Sequence, residues 1–139
     1  MRFHGRLYRD GRHWLAEVPV FDAMTQGRTR DEALAMIEDW FVTMVDQPDF
    51  SLRTYTVGRT EFELASDDAR PMISLLLRRQ RHKSGLSLTQ VAERLGVKSR
   101  NAYARYEHGS SVPTVAKLDE LLRAIAPERD IVVRQSDAA

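Results

Sequence analysis

Between Gly85 and Gly109 the chain is cut by glycine into pieces that leave room only for short helices. Gly85 stops the helix before it. Ser87-Leu88-Thr89-Gln90 opens the next, with Val91, Ala92 and Leu95 as its apolar positions, and Gly96 ends it by supplying a left-handed residue. Ser99 is placed to cap a further helix, Arg100 to His108, which Gly109 closes. Pro113-Thr114 begins the last one, whose core stripe is Val115, Leu118, Leu121, Leu122 and Ile125. Upstream, Pro71 suits the first turn of a helix running to about Lys83, capped by Asp67 or Asp68, with Ile73, Leu76 and Leu77 on its buried side. Two short helices joined across one glycine confine residues 67–126 to an all-helical bundle.

The other half reads differently. Phe3 to Tyr8 and His13 to Val18 flank Asp10-Gly11, a hairpin signal because glycine accepts the positive φ that tight turns demand. Trp14, Ala16 and Val18 share one face by the two-residue period, with Phe3 and Leu7 opposite them. Pro19 ends that strand, and a third extended piece is expected around Met24 to Arg28. Thr29-Arg30-Asp31-Glu32 is a capping box for a helix that should lay Ile37, Trp40 and Met44 on the sheet. A second hairpin runs from Leu52–Val57 through Gly58 to Thr60–Leu64, with Phe62 and Leu64 inward. The expected class is α+β: a small antiparallel sheet under one helix, then the helical bundle. The change of pattern at Ala65-Ser66-Asp67-Asp68 sets domains at 1–66 and 67–134, with 135–139 as a tail.

Composition narrows the chemistry. The 139 residues include no cysteine, which excludes disulfide scaffolds, thiolate zinc sites and thiol nucleophiles. No stretch approaches the roughly 20 apolar residues of a membrane span, and the first residues lack an apolar leader, so a soluble cytoplasmic protein is expected. His4 and His13 lack a third ligand for a metal, and Asp10, Asp31 and Glu32 are explained by a turn and a helix start. No catalytic residue, metal or cofactor is expected. A nuclease reading lacks the metal constellation it would need.

The net charge of +1 hides an asymmetry. Residues 1–66 set 8 arginines against 11 carboxylates, a balance of −3. Residues 78–105 hold 8 basic side chains and Glu93 alone, a local +7 suited to a polyanion. The paired short helices across Gly96 describe a helix-turn-helix, whose second helix enters the DNA major groove by its N-terminal end. Arg100, Asn101 and Arg105 are then the expected base readers, since arginine forks to guanine and asparagine to adenine. Arg94, Lys98 and Ser99 are the expected phosphate contacts. Tyr106 should pack inward, and Tyr103 partly so.

Leu86-Ser87-x-x-x-Val91-Ala92-Glu93-Arg94-Leu95-Gly96, Ser99 to Gly109 and Val112-Pro113-Thr114 resemble the phage-repressor-like, or Cro/C1-type, helix-turn-helix. Trp14-Leu15-Ala16-Glu17-Val18-Pro19, then Thr25-Gln26-Gly27 and Thr29-x-Asp31-Glu32-Ala33, resemble the HicB-type antitoxins. Together these cover nearly the whole chain. The resemblance implies a truncated RNase H-like first domain without a catalytic set. It implies a small HicA-type RNA-cleaving toxin as protein partner, and operator DNA as the second partner. Two departures stand out: Pro19-Val20-Phe21-Asp22-Ala23 replaces the family's loop pattern, and Leu88 stands where repressor-like domains place a phosphate-binding glutamine. By strand alternation Tyr8, His13 and Leu15 are the expected toxin contacts. The other function open to such a chain is a single-component regulator with a ligand-sensing first domain.

Helix-turn-helix proteins usually read paired half-sites, so a homodimer or higher even oligomer is expected. Ile131, Val132 and Val133 follow the last helix as a strand signal with no evident partner. Ile131 to Arg134 are expected to pair with a second copy as an antiparallel ribbon, Leu118, Leu122 and Ile125 helping to bury the interface; the alternatives are that the segment folds back onto its own N-terminal sheet or stays frayed.

Overall fold

The computed structural model describes residues 1–137, so the end of the expected tail, Ala138 and Ala139, lies outside the described residues. Among them the architecture is α+β, with five antiparallel strands in one sheet and five α-helices. Two compact units meet within a helix, one ending at Leu75 and the other beginning at Leu76. That cut falls after the composition change at Ala65–Asp68, because the polar segment is a helix start. The Arg70 N–H donates to Asp68 Oδ1 at 3.0 Å at the head of α2 (Ala69–Lys83), and Ser66 Oγ accepts from the Asp68 N–H at 3.3 Å.

In the first unit β1 (Phe3–Asp10) and β2 (His13–Val18) form the expected hairpin, turned at Gly11 with φ 59°. β3 (Ala23–Gly27) pairs with β2. Between them Pro19–Phe21 makes a single 3₁₀ turn, closed by the Asp22 N–H on the Pro19 carbonyl at 3.0 Å. This loop tucks Phe21 fully into the core. α1 (Arg30–Val45) is capped by Thr29, whose hydroxyl accepts from the Glu32 N–H at 3.1 Å. Glu32 reaches back one residue further than a standard capping box, to the Arg28 N–H at 2.9 Å. β4 (Leu52–Val57) and β5 (Glu61–Ser66) complete the sheet in the order β3-β2-β1-β5-β4.

α1 packs on β2, β3 and β4. Register places Leu7 opposite Ala16 and Phe3 opposite Leu64, so the buried side chains of adjacent strands share one face. Ala33, Ile37 and Phe41 are the helix side chains fully buried with them. Phe21 meets both Phe3 and Phe41 edge to face, each of the two ring pairs 4.9 Å apart. Phe41 therefore lies deeper than Trp40, one of the three residues expected on the sheet, which is only half-buried and touches Phe41 edge-on at 4.9 Å. Trp14 is half-buried as well, with the Arg9 and Arg30 guanidinium groups 5.8 and 5.6 Å from its ring. Gly5 faces Phe62 across the strand pair, and a Cβ there would lie 2.2 Å from the Phe62 ring. Only glycine leaves that ring its place in the core.

The second unit continues from α2 through α3 (Leu88–Leu95), α4 (Asn101–Glu107) and α5 (Val115–Ile125), with α3 packed on both α4 and α5. Leu76, Leu77, Val91, Ala92, Tyr103, Ala104, Leu121 and Ile125 are buried. The strand expected at Ile131 to Arg134 does not form within the chain: these residues are neither helix nor strand, and Val132 and Val133 are 85% and 92% exposed. β-branched residues without a ladder partner gain nothing from extension. Among the described residues no helix is long and apolar enough to cross a membrane.

Candidate nucleic-acid interface

α3 is locked at its start. Ser87 Oγ accepts from the Gln90 N–H at 3.1 Å, and Gln90 Oε1 accepts from the Ser87 N–H at 2.8 Å. The side-chain carbonyl of Gln90 is thus spent on the cap. At the other end Gly96 takes φ 71°, its N–H donating to the Ala92 and Glu93 carbonyls, and the Val97 N–H also reaches Ala92 at 3.1 Å. This left-handed residue turns the chain so that α4 follows after four positions, Val97 to Arg100.

α4 begins at Asn101, one residue later than expected, with Arg100 itself at the cap position in helical conformation. Ser99 still serves the start, its hydroxyl accepting from the Asn101 N–H at 3.2 Å. Tyr103, Ala104, Tyr106 and Glu107 turn inward. Tyr103 is wholly buried, more than its expected partial packing. Asn101, Arg105 and His108 are exposed at one-turn and two-turn spacing, which makes them one outward face. Lys98, Ser99 and Arg100 are exposed just before it. Five of the six expected DNA contacts therefore cluster at the start of α4 and along its outer side.

Arg94 is the exception. Its Nη1 donates to the Ala124 and Ile125 carbonyls at 3.1 and 3.2 Å, which caps the end of α5. α5 stops at Ala126 without a glycine, leaving its last carbonyls to be met by a cation. Arg94 Nη1 thus ties α3 to α5, while the residue as a whole stays exposed. Ile125, expected at a subunit interface, is 1% exposed within the single chain and belongs to its core. Leu118 and Leu122 are half-buried and retain some surface.

Sequence reading missed the clamp behind this surface. Arg81 on α2 donates through Nε and Nη2 to both Glu107 carboxylate oxygens, at 2.7 and 2.9 Å, and through Nη1 to the Leu86 carbonyl at 3.0 Å. The two side chains are 13% and 3% exposed. Glu107 lies one turn beyond Tyr103, and that inward spacing is the signal that marks it. The hydrogen bonds to Glu107 raise the Arg81 pKa, and burial followed by the Glu107 charge raises that of Tyr103. Burial, then the adjacent Arg81 charge, lowers His82, which lies 3.3 Å from Arg81 Nη2 through its own Nε2. The folded state thus favours neutral His82. The stability this gives is present above the ordinary histidine range and is lost as pH falls through about 6.5 toward the lowered folded value. Thermal melting at pH 7.5 and 5.5 should show a drop that His82→Gln reduces; an unaltered drop in that variant would remove His82 from the effect.

In the first unit, Tyr8 pairs directly with Leu15, and His13 with Asp10, on the face opposite Leu7 and Ala16. Tyr8 is 37% exposed, His13 is exposed and Leu15 is half-buried. Met24, 51% exposed, and the Arg6–Glu17 ion pair at 2.8 Å extend the same face. Among the described residues no group of three or more His, Asp or Glu could hold a metal ion.

Residues 73–130 match a family model described as a helix-turn-helix domain. No curated protein matches the chain. The second unit therefore carries a helix-turn-helix, a module that points to DNA-binding transcription regulation.

Proposed function

We propose that the chain is a HicB-type antitoxin that also represses its own operon. The observation that carries this reading is the pairing, in one chain, of an acidic sheet unit with a helix-turn-helix. The 1–66 segment, at −3, is complementary in sign to a basic RNA-cleaving toxin. One helix covers one face of its antiparallel sheet, as a truncated RNase H-like domain would have it, and Tyr8, His13 and Leu15 offer the other. In this reading the first unit is non-catalytic, the protein is cytoplasmic, and it binds operator DNA as a dimer. Leu118 and Leu122 on α5, with Ile131 to Val133, are the surfaces a second copy would cover. Light scattering on a chain truncated after Pro127 tests that role; an undiminished dimer would exclude the last segment.

A second reading, a single-component regulator, needs a ligand site in the first unit, where the surface offers a shallow, open depression lined by Trp14, Arg28, Thr29, Arg30 and Asp31. One experiment separates the two. A small basic protein encoded beside this chain is assayed for RNA cleavage while the full chain is titrated in. The antitoxin reading requires cleavage to stop near equimolar chain. Cleavage that persists in excess chain, with DNA binding intact, favours the regulator.

A further inference from the structure

Arg105 is held against its own helix. Its Nε donates to the Ala102 carbonyl at 3.1 Å and its Nη2 to the Tyr106 hydroxyl at 3.2 Å. The guanidinium carbon lies 4.9 Å from the centre of the Tyr106 ring. Tyr106 is 8% exposed and so a fixed point, whereas Arg105 is exposed on the outer side of α4. A guanidinium has five N–H donors in one plane. Two are used here, and three remain, including one at Nη2 and both at Nη1, enough for an end-on fork. A free arginine loses rotamer freedom when it binds, and one already oriented loses less.

We propose that Tyr106 is a positioning residue, which fixes the plane of the Arg105 guanidinium so that its free end meets DNA pre-oriented. This rests on the DNA-binding reading of α4. Arg105 makes the contact, and Tyr106 acts only through it.

The test is a double-mutant cycle in the full chain, using the DNA duplex that the wild-type chain enriches from a random pool. Tyr106→Phe keeps the buried ring and removes the hydroxyl. It should weaken binding about 3- to 10-fold, because Arg105 must then be ordered by the DNA instead of by Tyr106. In an Arg105→Ala background the same change should cost less than about twofold, because nothing remains to position. Thermal melting confirms that each variant is folded. Equal losses in both backgrounds would show Tyr106 to be structural and overturn the proposal. Binding by Tyr106→Phe equal to wild type would overturn the positioning role while leaving DNA binding standing. A wild-type chain that enriches no duplex would overturn both.

Discussion

Replacing Glu107 with alanine should destabilise the helix-turn-helix unit by about 3–5 kcal/mol, the cost of leaving a buried charge without its partner. Arg81 is 13% exposed and donates two short hydrogen bonds to that carboxylate. Without it the guanidinium stays charged with only the Leu86 carbonyl and a narrow exposure to water to satisfy it, and α2 and α4 lose their tie. Small domains are stable by roughly 5–15 kcal/mol, so most of the margin would go, and DNA binding with it. Urea denaturation followed by helical circular dichroism measures the loss. Glu107→Gln, which keeps the shape and one acceptor, should lose less. A shift below about 1 kcal/mol for Glu107→Ala would show that the pair contributes little.

Phe41→Ala should cost the first unit about 3–5 kcal/mol, as truncation of a fully buried aromatic usually does. The change empties the position where α1 meets Phe21 edge to face and exposes the ring stack that continues to Phe3. Trp40→Ala should cost clearly less, because Trp40 is half-buried and touches the cluster from its edge. Both tryptophans, Trp14 and Trp40, lie in the first unit. Tryptophan fluorescence in urea therefore reports that unit for Phe41→Ala, and circular dichroism serves for Trp40→Ala. Equal losses for the two variants would contradict the placement of Phe41 at the centre.

The difference between those two residues shows where sequence reading stops. Helical periodicity puts Ile37, Trp40, Phe41 and Met44 on the same broad side of α1, and only the position of the sheet selects Phe41. Local signals fared better. Asp10-Gly11, Thr29 with Glu32, Ser87 with Gln90, and Gly96 each specify their turn or cap through atoms a few residues away, and each forms. The long-range partners were not legible. Arg94 caps α5 thirty residues on, and Arg81 pairs with Glu107 across 26 positions. A charged side chain read alone looks solvated, and nothing local marks either tie; Arg81 is largely buried by its partner, whereas Arg94 stays exposed. The segment at Ile131 to Arg134 shows the converse: strand propensity without a partner in the chain yields no strand.

The central claim is that the start of α4 reads bases while its flank holds phosphates, and a gel-shift titration tests it most directly. The full chain, Arg100→Ala and Lys98→Ala are each titrated on the preferred duplex and on a scrambled one at several salt concentrations. Arg100→Ala should lose roughly 1–3 kcal/mol on the preferred duplex, lose little on the scrambled one, and relax preference at one base position. Lys98→Ala should weaken both duplexes nearly alike and flatten the salt dependence. Equal losses for Arg100→Ala on both duplexes would contradict its assignment as a base reader.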